Sequence, residues 1–202
     1  SGVSRCLLKD ADVYSVARLR DRIFAGTRGG LYCMEAGSDT FHKLELELSW
    51  QLINALYADE SDNTLWFGAS GLYRLHVYSG KLDLVSPSLS AKTLVRDCDG
   101  NLVIGTDYGL VTVDMAGGAA TRYTHNLHRH NSLSNNVVQS IFRDDNDNIW
   151  IGTDYGVSLA RRYRSYEYRS ITQFTEGGEG NQFFVLCPDR DGSLWMGGNN
   201  GV

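Results

Sequence analysis

One motif returns five times along this chain, and self-similarity at a fixed period restricts a fold more than any local reading can. Residues 144–159 read DDNDNIWIGTDYGVSL: an acidic turn, an aliphatic run holding a tryptophan, then Gly-Thr-Asp-Tyr-Gly. The same order recurs as RDCDGNLVIGTDYGLVTV at 96–113, PDRDGSLWMGGNNGV at 188–202 and ADESDNTLWFGASGLYRL at 58–75. A more worn copy, RLRDRIFAGTRGGLYCM, occupies 18–34. Aligned on their first glycine, the copies place Gly26, Gly68, Gly105, Gly152 and Gly197 about 37 to 47 residues apart, within the range of one four-stranded propeller blade.

Before each first glycine stands an apolar triplet: Ile23-Phe24-Ala25, Leu65-Trp66-Phe67, Leu102-Val103-Ile104, Ile149-Trp150-Ile151 and Leu194-Trp195-Met196. Only Val103 interrupts the aromatic column of Phe24, Trp66, Trp150 and Trp195. Runs without alternation suit strands covered on both faces, as the middle strands of a blade are by their neighbours. Ahead of the triplets, DESDNT, DCDGN, DDNDN and DRDGS are rich in residues that cap their own backbone amides and tolerate left-handed geometry. Segments such as Val138-Gln139-Ser140-Ile141-Phe142 fit an innermost strand. GLYRL, GLVTV and GVSLA alternate like a third strand, and TRYTH and YEYRSI read as the fourth. The expectation is an all-β chain: a β-propeller of four-stranded antiparallel blades with five repeats.

One array leaves no room for a second domain, so residues 1–202 are expected to form a single propeller segment. Its phases are an outer half-blade at about 1–12, blades at 13–49, 50–89, 90–130 and 131–176, and an inner half-blade at 177–202. SGVSR at the start matches YGVSLAR from the second glycine onward, while NNGV at the end stops at that same point. The two half-blades could therefore complete one another, with Val202 pairing near Val3 to Leu7 and both sheet edges protected. The other reading is a window cut from a longer array.

A net charge of −5 with interspersed signs argues against nucleic acid or an anionic membrane surface as partner. No apolar run reaches the length of a membrane helix, and the N-terminus carries no secretory signal pattern. Cys6, Cys33, Cys98 and Cys187 lack CxxC spacing and are expected to be unpaired structural thiols.

The stretch NSLSNNVVQSIFRDDNDNIWIGTDYGVSL at 131–159 resembles the two-component regulator propeller repeat. It combines Ser132-Leu133-Ser134-Asn135-Asn136 at the entry, the acidic turn at 144–148, Ile149-Trp150-Ile151-Gly152-Thr153, and Gly156. The resemblance covers essentially the whole chain. It implies the periplasmic sensor region of a hybrid two-component system of the type found in Bacteroides-like gut bacteria. There, seven-bladed propellers precede a small β-sandwich, a membrane helix, and histidine-kinase and regulator domains. It also implies signal transduction triggered by oligosaccharides and control of polysaccharide use, with this segment itself not an enzyme, the remaining sensor and kinase domains as partners, no direct membrane contact and a homodimer as a candidate assembly.

In a four-stranded blade the second-to-third turns share a rim with the connections into the next blade. Arg28, Asp107, Tyr108, Asp154, Tyr155, Asn199 and Asn200 are therefore the candidate ligand-binding set. Tyrosine faces can stack on sugar rings while carboxylates, amides and a guanidinium bind hydroxyls. Taken singly, each residue is also sound turn chemistry, with its tyrosine packed on the adjacent blade. No cofactor, metal or catalytic residue is expected. The acidic turns are too short to wrap a calcium ion. His125, His128 and His130 read as a solvated connector rather than a zinc site. The glycines Gly26, Gly68, Gly105, Gly152 and Gly197, with Trp66, Trp150 and Trp195, are assigned to the repeat's architecture. Alternatives are a propeller lyase or glycosidase, recognisable by product release, and a protein-interaction scaffold.

Overall fold

In the computed structural model the described residues are 6–9, 11–48, 51–115, 118–129, 131–161, 169–171, 182–191 and 193–198, and every strand or helix among them is a β-strand. The proposed pairing of Val202 with Val3 to Leu7 lies outside the described residues. The chain separates into two compact units, residues 1–91 and 92–202.

The first unit holds two antiparallel sheets. One contains β1 (Val13–Leu19), β2 (Arg22–Thr27), β3 (Gly30–Glu35) and β4 (His42–Lys43) in that spatial order. The other contains β5 (Ala55–Asp59), β6 (Thr64–Gly68), β7 (Leu72–His76) and β8 (Leu82–Ser86). The second unit has β9 (Thr93–Arg96), β10 (Leu102–Thr106), β11 (Gly109–Val113) and β12 (Ala120–Tyr123) in one sheet. A second sheet follows with β13 (Val138–Arg143), β14 (Ile149–Thr153), β15 (Gly156–Ala160) and β16 (Arg169–Ile171). The pair β17 (Phe183–Pro188) and β18 (Leu194–Gly198) completes the unit. Each four-stranded sheet is an up-and-down meander, the blade of a β-propeller. The apolar triplets all fall on second strands.

Within a unit, the innermost strand of one blade covers the first two strands of the blade before it: β5 lies on β1 and β2, β13 on β9 and β10, and β17 on β13 and β14. The apolar cores lie at these junctions. Leu19, Phe24, Leu31, Ile53, Leu65 and Phe67 pack together in the first unit, and Val103, Leu110, Val138, Ile141 and Ile151 in the second. The third strands do not alternate as expected. All five residues of β15 and four of the five in β11 are buried, because flanking layers cover both faces of a middle strand.

The first glycines of four repeats, Gly26, Gly68, Gly105 and Gly152, are explained by this packing. A Cβ on Gly105 would stand 2.6 Å from Thr93 Cγ2 and 2.6 Å from Val138 Cγ1. On Gly26 it would stand 2.8 Å from Ile53 Cγ2, and on Gly68 it would collide with the carbonyl of Ala91. The second glycine serves a different need: Gly30, Gly109 and Gly156 open the third strand with φ of 123°, 111° and 110°, where a side chain is strained.

The acidic turns are closed by their own first aspartate. Asp144 accepts hydrogen bonds from the backbone N–H groups of Asn146 (2.9 Å) and Asn148 (2.8 Å), from Asn148 Nδ2 (2.9 Å) and from Trp150 Nε1 (2.9 Å). Asp97 repeats the pattern with Asp99 and Asn101, and Asp189 accepts from Trp195 Nε1 at 3.0 Å. These carboxylates are turned toward N–H donors of their own turn. In the second copy the turn is one residue longer: Asp59 instead binds Ser61 through its N–H and hydroxyl, and buried Trp66 Nε1 finds no acceptor among the described residues. Arg74 lies 5.3 Å from the centre of the Trp66 ring.

Burial raises the Asp144 pKa, but the donors from Asn148, Trp150 and Asn146 outweigh it and hold the carboxyl below its ordinary value. A depressed folded-state value favours the native state above the unfolded pKa of about 3.9, and that contribution is lost as pH falls through the folded value. Asp144→Asn should therefore cost about 2 kcal/mol at neutral pH, with the gap to wild type narrowing below about pH 4. Urea melts across a pH series check this, and a gap independent of pH would refute the assignment.

Candidate functional site

Two of the expected rim turns come together in the second unit. Thr106 Oγ1 donates to Gly109 O (2.8 Å) and accepts from Tyr108 N (3.0 Å). Thr153 does the same with Gly156 O (2.9 Å) and Tyr155 N (3.1 Å). Both threonines are buried, so each turn is clamped from below while its Asp-Tyr tip projects. One segment touches both turns: Asn136 O accepts from Gly109 N (2.7 Å), and Val137 O accepts from Asp154 N (3.1 Å). The two tips therefore share one rim.

The tyrosines are not packed away on neighbouring blades: Tyr108 is 76% exposed and Tyr155 48%. Burying such rings would normally be favourable, so stacking area is available to a ligand. Their aspartates are held in place. Lys92 Nζ forms an ion pair with Asp107 Oδ1 at 2.9 Å, and Gln139 Nε2 donates to Asp154 Oδ1 at 2.6 Å. Arg122 Nη1 donates to the carbonyl of Tyr108 at 2.9 Å, fixing that turn from the fourth strand.

Lys92 and Gln139 were not legible as site residues because they carry no motif. They are nevertheless equivalent. Lys92 precedes Thr93, the partner of Gly105, and Gln139 precedes Ser140, the partner of Gly152. Counting back from the residue opposite each repeat glycine would have found both. At Gln139 the register shifts between Val138 and Ser140, the kind of bulge that re-aims a side chain.

Arg28 is exposed in the first unit, its N–H donating to Asp12 O at 3.1 Å in the same turn geometry. Asn199 and Asn200 lie outside the described residues. In the histidine-rich connector, His125 Nδ1 donates to Leu133 O at 2.6 Å and its N–H to Asn136 Oδ1 at 2.7 Å, so it staples the entry loop. His128 is exposed, and His130 lies outside the described residues. Among the described residues no group of three or more His, Cys, Asp or Glu side chains could hold a metal ion. The four cysteines are free thiols, and burial raises the pKa of Cys33.

The two-component regulator propeller model matches residues 132–155 and 177–200. The extracellular domain of the putative hybrid two component system BT4673 from B. thetaiotaomicron is 33% identical over 94% of this chain, with a TM-score of 0.70. This chain carries two-component regulator propeller repeats. It spans 26% of the BT4673 chain, so it corresponds to about a quarter of that protein's domain. The extracellular domain of the putative hybrid two component system BT3049 from the same organism matches 98% of this chain and 27% of its own, at 20% identity and a TM-score of 0.75. Virginiamycin B lyase from Staphylococcus aureus matches 93% of this propeller chain and 64% of its own, at 12% identity and a TM-score of 0.66. These last two similarities show the fold alone. No curated protein matches the sequence.

Proposed function

We propose that this chain is a ligand-sensing propeller segment of an extracytoplasmic two-component receptor, and that the rim built by Lys92, Asp107, Tyr108, Gln139, Asp154 and Tyr155 recognises oligosaccharides. The observation that carries the sensor reading is the 33% identity to the extracellular domain of a putative hybrid two component system. The rim supports the ligand class. Two exposed tyrosines beside anchored carboxylates, an amide and an ammonium suit apolar ring faces edged with hydroxyls. In a Gram-negative host the location would be periplasmic, with a histidine kinase elsewhere in the parent protein reading out occupancy.

The test is a thermal-shift and calorimetric screen against plant and host oligosaccharides at fixed salt. A ligand binding only the folded state adds about 2.7 kcal/mol of stability at a hundredfold excess over Kd. The expected result is a saturable shift with one glycan, no cleavage of it, and affinity weakened about tenfold or more by Tyr108→Ala or Asp154→Ala. Binding that survives both substitutions would place the ligand elsewhere, and release of cleaved product would identify an enzyme.

A further inference from the structure

Both rim turns carry the same four residues, Thr-Asp-Tyr-Gly, at 106–109 and 153–156, so their surroundings can be compared position by position. The partner of the aspartate is Lys92 in one and Gln139 in the other: Lys92 Nζ lies 2.9 Å from Asp107 Oδ1, and Gln139 Nε2 lies 2.6 Å from Asp154 Oδ1. The fourth strands differ in the same sense. Arg122 pairs with Val111 on β11, and Ser170 pairs with Ser158 on β15. Val111 and Ser158 each stand six residues after their repeat glycine, Gly105 and Gly152, so Arg122 and Ser170 hold equivalent positions. Both basic residues of the Tyr108 turn thus have neutral counterparts at the Tyr155 turn.

Charge is therefore distributed unevenly along one rim. At the Tyr108 turn Lys92 already neutralises Asp107, while Arg122 is exposed and forms no ion pair among the described residues. Its Nη1 donates to Tyr108 O at 2.9 Å, which holds the guanidinium at the turn and leaves its other N–H groups open to an incoming acceptor. At the Tyr155 turn Asp154 meets only the neutral amide of Gln139 among the described residues, so its charge is not offset there. The Tyr108 end attracts an anion and the Tyr155 end repels one.

We propose that the rim selects an oligosaccharide bearing an acidic sugar and binds it in one direction, with the anionic substituent, a carboxylate or a sulfate, set against Arg122 at the Tyr108 turn and a neutral sugar donating its hydroxyls to Asp154 at the Tyr155 turn. The inference rests on the saccharide-binding role proposed for this rim, to which it adds charge class and direction. Arg122 is the specificity-determining residue, because a planar guanidinium pairs with a carboxylate or sulfate through two parallel N–H bonds. Asp154 enforces the direction from the other end, since a reversed ligand would bring two anions together. The exposed rings of Tyr108 and Tyr155 serve either sugar, so charge rather than stacking sets the order.

The experiment is calorimetric titration of the 202-residue chain with short uronate-bearing and sulfated oligosaccharides, each beside its carboxyl-reduced or desulfated counterpart, over a salt series. The expected result is an acidic member that binds about tenfold tighter than its neutral counterpart, with the preference shrinking as salt rises. Whether the uronate pair or the sulfated pair responds identifies the anion. In Arg122→Gln the ratio of the two affinities falls to about one, whatever the substitution does to both together, and Arg122→Lys restores part of it. Circular dichroism melts verify that the variants fold. Neutral counterparts that bind as tightly as the acidic members, or a preference that survives Arg122→Gln, would overturn the charge assignment and leave the saccharide reading standing. Binding by neither member of any pair would overturn both.

Discussion

Replacing Trp66 with alanine should lower the stability of the first unit by about 4 kcal/mol, whereas Trp195→Ala at the same repeat position should cost less than about 1 kcal/mol. The two tryptophans share a place in the motif but not an environment. Trp66 is 1% exposed with Arg74 over its ring, and removing that ring leaves a cavity that the stiff strands around it cannot close. Trp195 is 55% exposed and keeps mainly a hydrogen bond to Asp189, so its removal loses little buried area. Denaturant melts of the two variants, followed by circular dichroism, measure the contrast. Equal losses would mean that position in the repeat, rather than burial, sets the energy.

Gly105→Ala should destabilise the second unit by about 2 to 3 kcal/mol, while Gly197→Ala stays within about 0.5 kcal/mol of wild type. The added methyl at Gly105 meets the β-branched side chains of Thr93 and Val138, both within 2.6 Å, and neither can swing aside without moving its strand. At Gly197 the nearest described atom is at 3.8 Å, an ordinary van der Waals distance. The readout is the shift in denaturation midpoint at unchanged slope, which reports stability rather than a change in denatured-state compactness. A tolerated Gly105→Ala would mean that the blades of the second unit can part at little cost, contrary to the close approach of Val138.

The two pairs of substitutions together separate what a repeat encodes from what its surroundings add. Gly68 behaves like Gly105 with a backbone carbonyl, that of Ala91, as the obstacle. A backbone atom moves less readily than the end of a side chain, so the notch at Gly68 tolerates a methyl least of the set. Asp144 belongs to the encoded class, because all four of its donors lie within six residues of it.

By itself the sequence determined the strand order, the acidic hairpins and the blade as the unit of construction. These rest on local chemistry: an aspartate that closes its own turn, a glycine at positive φ, and an apolar run of strand length, repeated at nearly constant spacing. Sequence also pointed to Asp107, Tyr108, Asp154 and Tyr155, because turn tips are readable from turn motifs. Only the tertiary structure decided which equivalent residues are buried: at the same place in the repeat Trp66 is 1% exposed and Trp195 55%. It likewise showed that all of β15 and four of the five residues of β11 are buried despite polar interruptions, and that Gly26, Gly68, Gly105 and Gly152 are required by a residue from the next segment. Lys92 and Gln139 joined the rim through side chains reaching Asp107 and Asp154 across their own blades. A pairing between residues about fifteen apart leaves no periodic trace, because it depends on strand register and a bulge, which sequence spacing does not specify.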